Sequence, residues 1–199
     1  MSTASKGEQR SMKGALIVIG VLVLLGLMIF FPLMSSRNDL VTSRESVTAA
    51  WSNVDTALQR RADLIPNLVE TVKGFAKQEQ AVIDSVTSAR AQLGGARTPS
   101  EKIAANDQLS GALSRLLVVM ENYPQIKSNE NYARLMDELA GTENRISVER
   151  RKYNEILQKY NTDIELFPKN IAASLFGFQR NDAYFKADAG AKEAPKVKF

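Results

Sequence analysis

Histidine and cysteine are both missing from this 199-residue chain. Their absence removes the Ser-His-Asp and Cys-His catalytic constellations, the usual zinc ligand sets, disulfides and cysteine lipidation. A di-iron bundle site is closed as well, because it needs Glu-x-x-His pairs. There is no Gly-rich phosphate loop: Gly94-Gly95 lacks the following Lys-Ser/Thr and reads as a helix C-cap. Net charge is also missing from the body. The chain carries +4, yet residues 37–182 hold 19 Lys/Arg and 19 Asp/Glu, so the excess sits in the two ends. A nucleic-acid-binding body would need a net basic face, so no nucleic-acid partner is expected. No strand signal competes with helix anywhere. With no metal or cofactor ligand set legible, none is expected.

The most conspicuous feature present is "GALIVIGVLVLLGLMIFFPLM" at 14–34, which carries no charge. At ~1.5 Å per residue this run reaches ~31 Å, about one hydrocarbon core, and reads as a transmembrane helix. A cleaved signal peptide is the rival, but the run is long for one and no A-x-A site follows before Arg37. Lys6, Arg10 and Lys13 precede the run, against Arg37 and Arg44 close behind it. Positive-inside bias then places the N-terminus in the cytoplasm and the body outside, in the inner membrane.

Beyond the run, apolar residues recur at steps of three and four, the signature of helix seams. The row Val47, Trp51, Val54, Leu58, Arg61, Ile65 defines a first helix over roughly 38–64. Pro66 should end or kink it, since proline lacks a backbone donor and disfavours helix in the residue before it. Asp63 would then cap the amino end of a second helix over 67–93, whose row is Val72, Phe75, Glu79, Val82, Val86, Ala89, Leu93. Thr98-Pro99-Ser100-Glu101 is a capping box that opens a third helix. Its row is Leu109, Leu113, Leu116, Met120, and it ends at "ENYP", 121–124.

A fourth helix over 130–167 carries Tyr132, Leu139, Ile146, Tyr153, Tyr160 and Phe167 at steps of seven, a coiled-coil-like stripe that Pro168 closes. A short apolar segment follows at 170–178. The predicted fold class is all-α: a transmembrane helix, then an elongated antiparallel bundle of about four long helices and a short C-terminal helical segment. The expected organisation is a cytoplasmic tail at 1–13, the span at 14–34, the bundle at 35–185 and a disordered tail at 186–199.

The wording "AWSNVDTALQRRADLIPNLVETVKG" (49–74), with "ENYP" (121–124), "GTENRISVERRKYN" (141–154) and "YNTDIELFP" (160–168), resembles the LemA family. Four ordered motifs over roughly 38–185 carry the resemblance. It implies an N-terminal membrane segment and an α-helical bundle, and no settled activity. The matching positions include Trp51, Arg60, Arg61, Asp63, Pro66, Asn67, Glu143, Asn144, Arg145, Tyr153 and Asn154, none a known catalytic residue.

Arg60, Arg61, Asp63 and Glu143 read as an ion-pair network locking helices, with an active site as the sharper alternative. Arg61 occupies a seam position where an apolar residue is expected. If the first and fourth helices run antiparallel with Arg37 and Phe167 level, the residue level with Arg61 is Glu143. The tyrosines at 132, 153 and 160 read as core. The run 149–152, Glu-Arg-Arg-Lys, reads as a solvated face, a phosphate or lipid-headgroup site being the alternative.

The function expected is a membrane-anchored scaffold or adaptor of the cell envelope, not an enzyme. It would work as a homo-oligomer, with other envelope proteins as further partners. Met136, Leu157 and Ile164 flank the stripe of the fourth helix and suggest surplus apolar surface for self-association. Folding back of 170–178 over that surface is the alternative. A ligand-binding helical sensor and a histidine-free enzyme are the rival functions, the first requiring a sizeable enclosed pocket.

Overall fold

The structure, a computed structural model, describes residues 4–186, with side chains from Leu16 onward. The order of elements is α1 (Ala4–Phe75), α2 (Gln80–Gly95), α3 (Pro99–Met120), α4 (Pro124–Lys127), α5 (Glu130–Glu165) and α6 (Lys169–Phe176). No strand occurs among the described residues. The fold is all-α. The tail expected from 186 onward lies, after Lys186, outside the described residues, as do the side chains of Lys6, Arg10 and Lys13.

Of the two outcomes expected at Pro66, an end or a kink, helix α1 rules out the end. It is one helix of 72 residues, holding both the apolar run and the seam that the sequence assigned to a separate first helix. The missing Pro66 amide would have bonded the carbonyl four residues back, that of Ala62. Arg90 Nε, from α2, donates to that carbonyl at 3.0 Å. A side chain thus supplies the donor that the backbone lacks, and the helix continues. The chain turns instead at 76–79, where Ala76 still donates to Val72 at 2.8 Å and Glu79 donates to Ala76 at 3.1 Å. Asp63 consequently caps nothing: it lies mid-helix and accepts from Gln59 Nε2 at 2.9 Å.

The capping box forms as its sequence requires. Thr98 Oγ1 accepts from the Glu101 amide at 3.2 Å, while Glu101 Oε2 accepts from the amides of Thr98 and Arg97 at 3.1 and 2.8 Å. The Arg97 amide, then that of Thr98, holds the Glu101 carboxyl below its ordinary pKa. Helix α2 ends at Gly95 with no left-handed glycine, because Ala96 is the capping residue and stays extended. Its amide donates to Gln92 at 3.0 Å. The segment after "ENY" adds a helix the sequence did not suggest, α4, with Pro124 in its first turn and Ile126 buried.

Two compact units divide the chain: Met1–Glu45 with Lys159–Arg180, and Ser46–Gln158 with the residues from Asn181. In the second, the core draws Ile65, Leu68 and Val72 from α1, Ile83, Val86 and Leu93 from α2, Leu109, Leu116 and Met120 from α3, and Tyr132 and Leu139 from α5. Each such fully buried aliphatic side chain contributes about 1.5–3 kcal/mol. In the first unit, Ala172 and Ala173 of α6 bury against Leu40, with Leu33, Ile164 and Phe178 packed around them.

That packing removes the premise of surplus surface on α5. Leu157 is fully buried, Met136 packs on the main core and Ile164 on the Leu40 cluster. The heptad stripe is interior from Tyr132 to Tyr160, whereas Phe167, at 79% exposure, lies open.

The Arg90 bond generates a stability prediction. In denaturant titrations of the full chain in micelles, Arg90→Ala should cost about 1–3 kcal/mol, the penalty of an unpaired buried carbonyl. In a Pro66→Ala background the restored amide takes over that carbonyl, so the cost should shrink. An equal cost in both backgrounds would contradict the substitution of side chain for backbone donor.

Candidate functional site

The residues singled out by the sequence gather chiefly in the unit containing Ser46–Gln158. Arg61 stands in the apolar seam of α1 because its helical spacing from Leu58 and Ile65 leaves it no path outward, and it is only 6% exposed. Its Nη1 lies 3.0 Å from Glu143 Oε2 on α5, the partner that the register predicts. The same nitrogen reaches Asn106 Oδ1 at 3.0 Å and Ser110 Oγ at 2.9 Å, both on α3. Three helices therefore meet at one guanidinium. Burial pushes its pKa down, Glu143 opposes the shift and Arg150 adds to it, yet an arginine remains charged throughout the physiological range. Arg61 Nε and Asn106 Nδ2 are buried without a hydrogen-bond partner among the described residues. The Glu143 side chain is 48% exposed, so the pair is only half-buried.

A second constellation surrounds Trp51. Its indole meets the Tyr153 ring edge-on at 5.3 Å and stacks on Phe185 at 6.2 Å. Asn154 clamps the Phe185 backbone, accepting from its amide at 3.1 Å and donating to its carbonyl at 2.9 Å. The Arg150 guanidinium lies 4.6 Å over the Phe185 ring, and its Nη2 donates to the Lys186 carbonyl at 3.1 Å. Burial raises the Tyr153 pKa, with Tyr184 adding to the shift. The pairings Arg61–Glu143 and Trp51–Tyr153 together show that α1 and α5 run antiparallel here.

Arg60 and Arg145 join neither constellation. They line an open groove of about 550 Å³ with Asn53, Thr56, Glu138 and Thr142. Asn67 lines another, of about 430 Å³, beside Thr71 and Arg134. Asn144 is exposed, and Pro66 shows an exposed ring in mid-helix. The solvated face read at 149–152 holds for Arg151 and Lys152, both exposed, and fails at Glu149 and Arg150. Glu149 is 3% exposed, held by Arg145 Nε at 3.0 Å and Lys152 Nζ at 3.7 Å, and Arg150 is occupied by Phe185.

Several participants escaped the sequence reading. Asn106 had a visible signal, a polar residue one turn before Leu109 in an apolar row; Arg90 and Phe185 had none that helical periodicity supplies. Chemically, the assembled groups are cations paired with carboxylates and amides, an arrangement that fixes helices. Among the described residues no cluster of acids could hold a metal ion.

The LemA family model matches residues 50–199, a stretch that takes in every motif position from Trp51 to Tyr153. The chain belongs to the LemA family. Magnetosome protein MamQ 2 of Paramagnetospirillum magneticum is 28% identical to this LemA-family chain over 202 residues, covering 88% of it and 74% of the relative. Magnetosome protein MamQ of Magnetospirillum gryphiswaldense is 25% identical over 212 residues, covering 93% and 78%. Protein LemA of Metamycoplasma hominis is 25% identical over 172 residues, covering 84% and 75%. The match, together with one helix long and apolar enough to cross a membrane, makes this a membrane-associated LemA-like protein.

Proposed function

We propose that the chain is a membrane-anchored helical scaffold or adaptor that self-assembles at the cell envelope. The observation that carries this reading is α1 itself, in which a run of exposed apolar side chains at 16–31 passes without a loop into a segment whose seam lies in the bundle core. None of the relatives named above carries a reaction in its name. The grooves along α1 and α5 are open, and the larger mixes Arg60 and Arg145 with Glu138. That disfavours the rival sensor, which would enclose its ligand, and a histidine-free enzyme still more.

Self-assembly needs an apolar face other than the one expected on α5. Leu117 and Val118 of α3 supply adjacent exposed apolar side chains, Val118 at 66% exposure. Anchoring would confine protomers to two dimensions and raise their effective concentration. Because the chain has no cysteine, Val118→Cys introduces a sole thiol. Oxidation of intact membranes should yield a disulfide-linked dimer, and gently extracted protein should exceed monomer mass. A strictly monomeric mass with no cross-linked product would defeat the scaffold.

Orientation follows from the positive-inside bias, with the N-terminus cytoplasmic and the bundle extracytoplasmic. A phosphatase active only outside the cytoplasm, fused after Phe199, should be active. An expressed but inactive fusion would reverse the assignment.

A further inference from the structure

The unit containing Lys159–Arg180 leaves an unusual set of side chains uncovered. Leu166, Phe167, Ile171 and Leu175 are each more than half exposed, and Phe176 is 37% exposed. Ile171 and Leu175 are one turn apart on α6 and so form one stripe, while Ala172 and Ala173 occupy the other side and bury against Leu40. The helix is thus apolar on both sides, with only one side covered by the chain.

Its location indicates what covers the other. Leu33, which packs on the same cluster as Ala172 and Ala173, belongs to the last turn of the apolar run. Leu40 is six residues beyond Met34, a rise of ~9 Å along a helix. The headgroup zone on each side of a bilayer is roughly 5–8 Å deep, the difference between a ~30 Å hydrocarbon core and a ~40–45 Å membrane. Packed between Leu33 within the run and Leu40 just past the headgroup zone, α6 brackets headgroup level if the run spans the bilayer. Its surroundings suit that level. The Arg37 guanidinium lies 5.4 Å over the Phe176 ring and that of Arg44 lies 5.3 Å over Phe178. Lys169 is bound to Asp163 at 3.1 Å and approaches Asp39 at 4.0 Å. Aromatic rings bracketed by cations at the end of a span are the composition of a membrane–water interface.

We propose that the turn at 166–168 and helix α6 form a second membrane contact, with Leu166, Phe167, Ile171 and Leu175 lodged at the headgroup–acyl boundary of the leaflet where the apolar run ends. The occupant is lipid rather than a second copy, because α6 packs in one cluster with Leu33 of the run, so a leaflet spanned by the run already lies within its reach. The inference rests on the anchoring part of the proposed function and not on self-assembly.

The test uses the full chain in vesicles of zwitterionic and anionic phospholipid. Three single-cysteine variants, Leu175→Cys, Leu24→Cys within the run and Gln78→Cys in the exposed α1–α2 turn, each carry an environment-sensitive fluorophore. Residue 175 is exposed, so its replacement empties no core, and retained helical circular dichroism verifies the fold. The label at 175 should be blue-shifted relative to that at 78, and quenched several-fold more by lipids with a nitroxide near the headgroup than by aqueous iodide. The label at 24 should respond to a deep nitroxide. Iodide quenching at 175 equal to that at 78 would overturn the proposal in favour of a solvated face. Protection from both quenchers, with the unlabelled Leu175→Cys variant forming disulfide-linked dimers, would overturn it in favour of a self-interface. Failure at 24 would remove the anchor itself, and this contact with it.

Discussion

A guanidinium cannot shed its charge on burial, so Arg61 obliges other groups to come to it. The seam of α1 places it between Leu58 and Ile65, both interior, and the chain answers with Glu143 from α5 and Asn106 and Ser110 from α3. Apolar faces alone allow helices to slide by a turn at little cost, whereas a charge with directional partners does not. One residue thus sets the register of α1 against two neighbours. The Trp51 and Tyr153 contact, about three turns toward the other end of the same helix pair, agrees with that register.

Much of this was legible because it is local or periodic. The seven-residue row marked α5, whose bounds fell within two residues of expectation, and the capping box marked the start of α3. Even the Arg61 partner followed from counting along antiparallel helices. What failed were inferences about which side chain would meet an orphaned or buried group. Proline costs a helix both a hydrogen bond and a ring clash, and Arg90 offsets the first by pairing the orphaned carbonyl from 28 residues away. Glu149 looked solvated beside three cations, yet Arg145 and Lys152 let its carboxylate turn inward. Phe185, the last residue assigned to the bundle, is held through its backbone by Asn154, a contact with no signal in the sequence.

The functional reading follows from the same economy of chemistry. Arg61, Glu143 and Asn106 join helices, and much of the uncovered apolar surface among the described residues lies on the run, on and beside α6 and on α3. Membership of the LemA family and the helix suited to a membrane agree with a protein whose work is attachment. Lipid on α6 and a second copy on α3 would divide that surface between two kinds of partner.

The claim on which the account turns is that Arg61 and Glu143 act together, and a double-mutant cycle in the full chain measures it. Arg61→Ala, Glu143→Ala and the pair should show a coupling of about 1–3 kcal/mol in denaturant midpoints, below the ~3–5 kcal/mol for breaking a fully buried pair because Glu143 is half open to solvent. Additive costs, with coupling indistinguishable from zero, would mean that this pair does not set the register of α1 against α5 and would contradict the account.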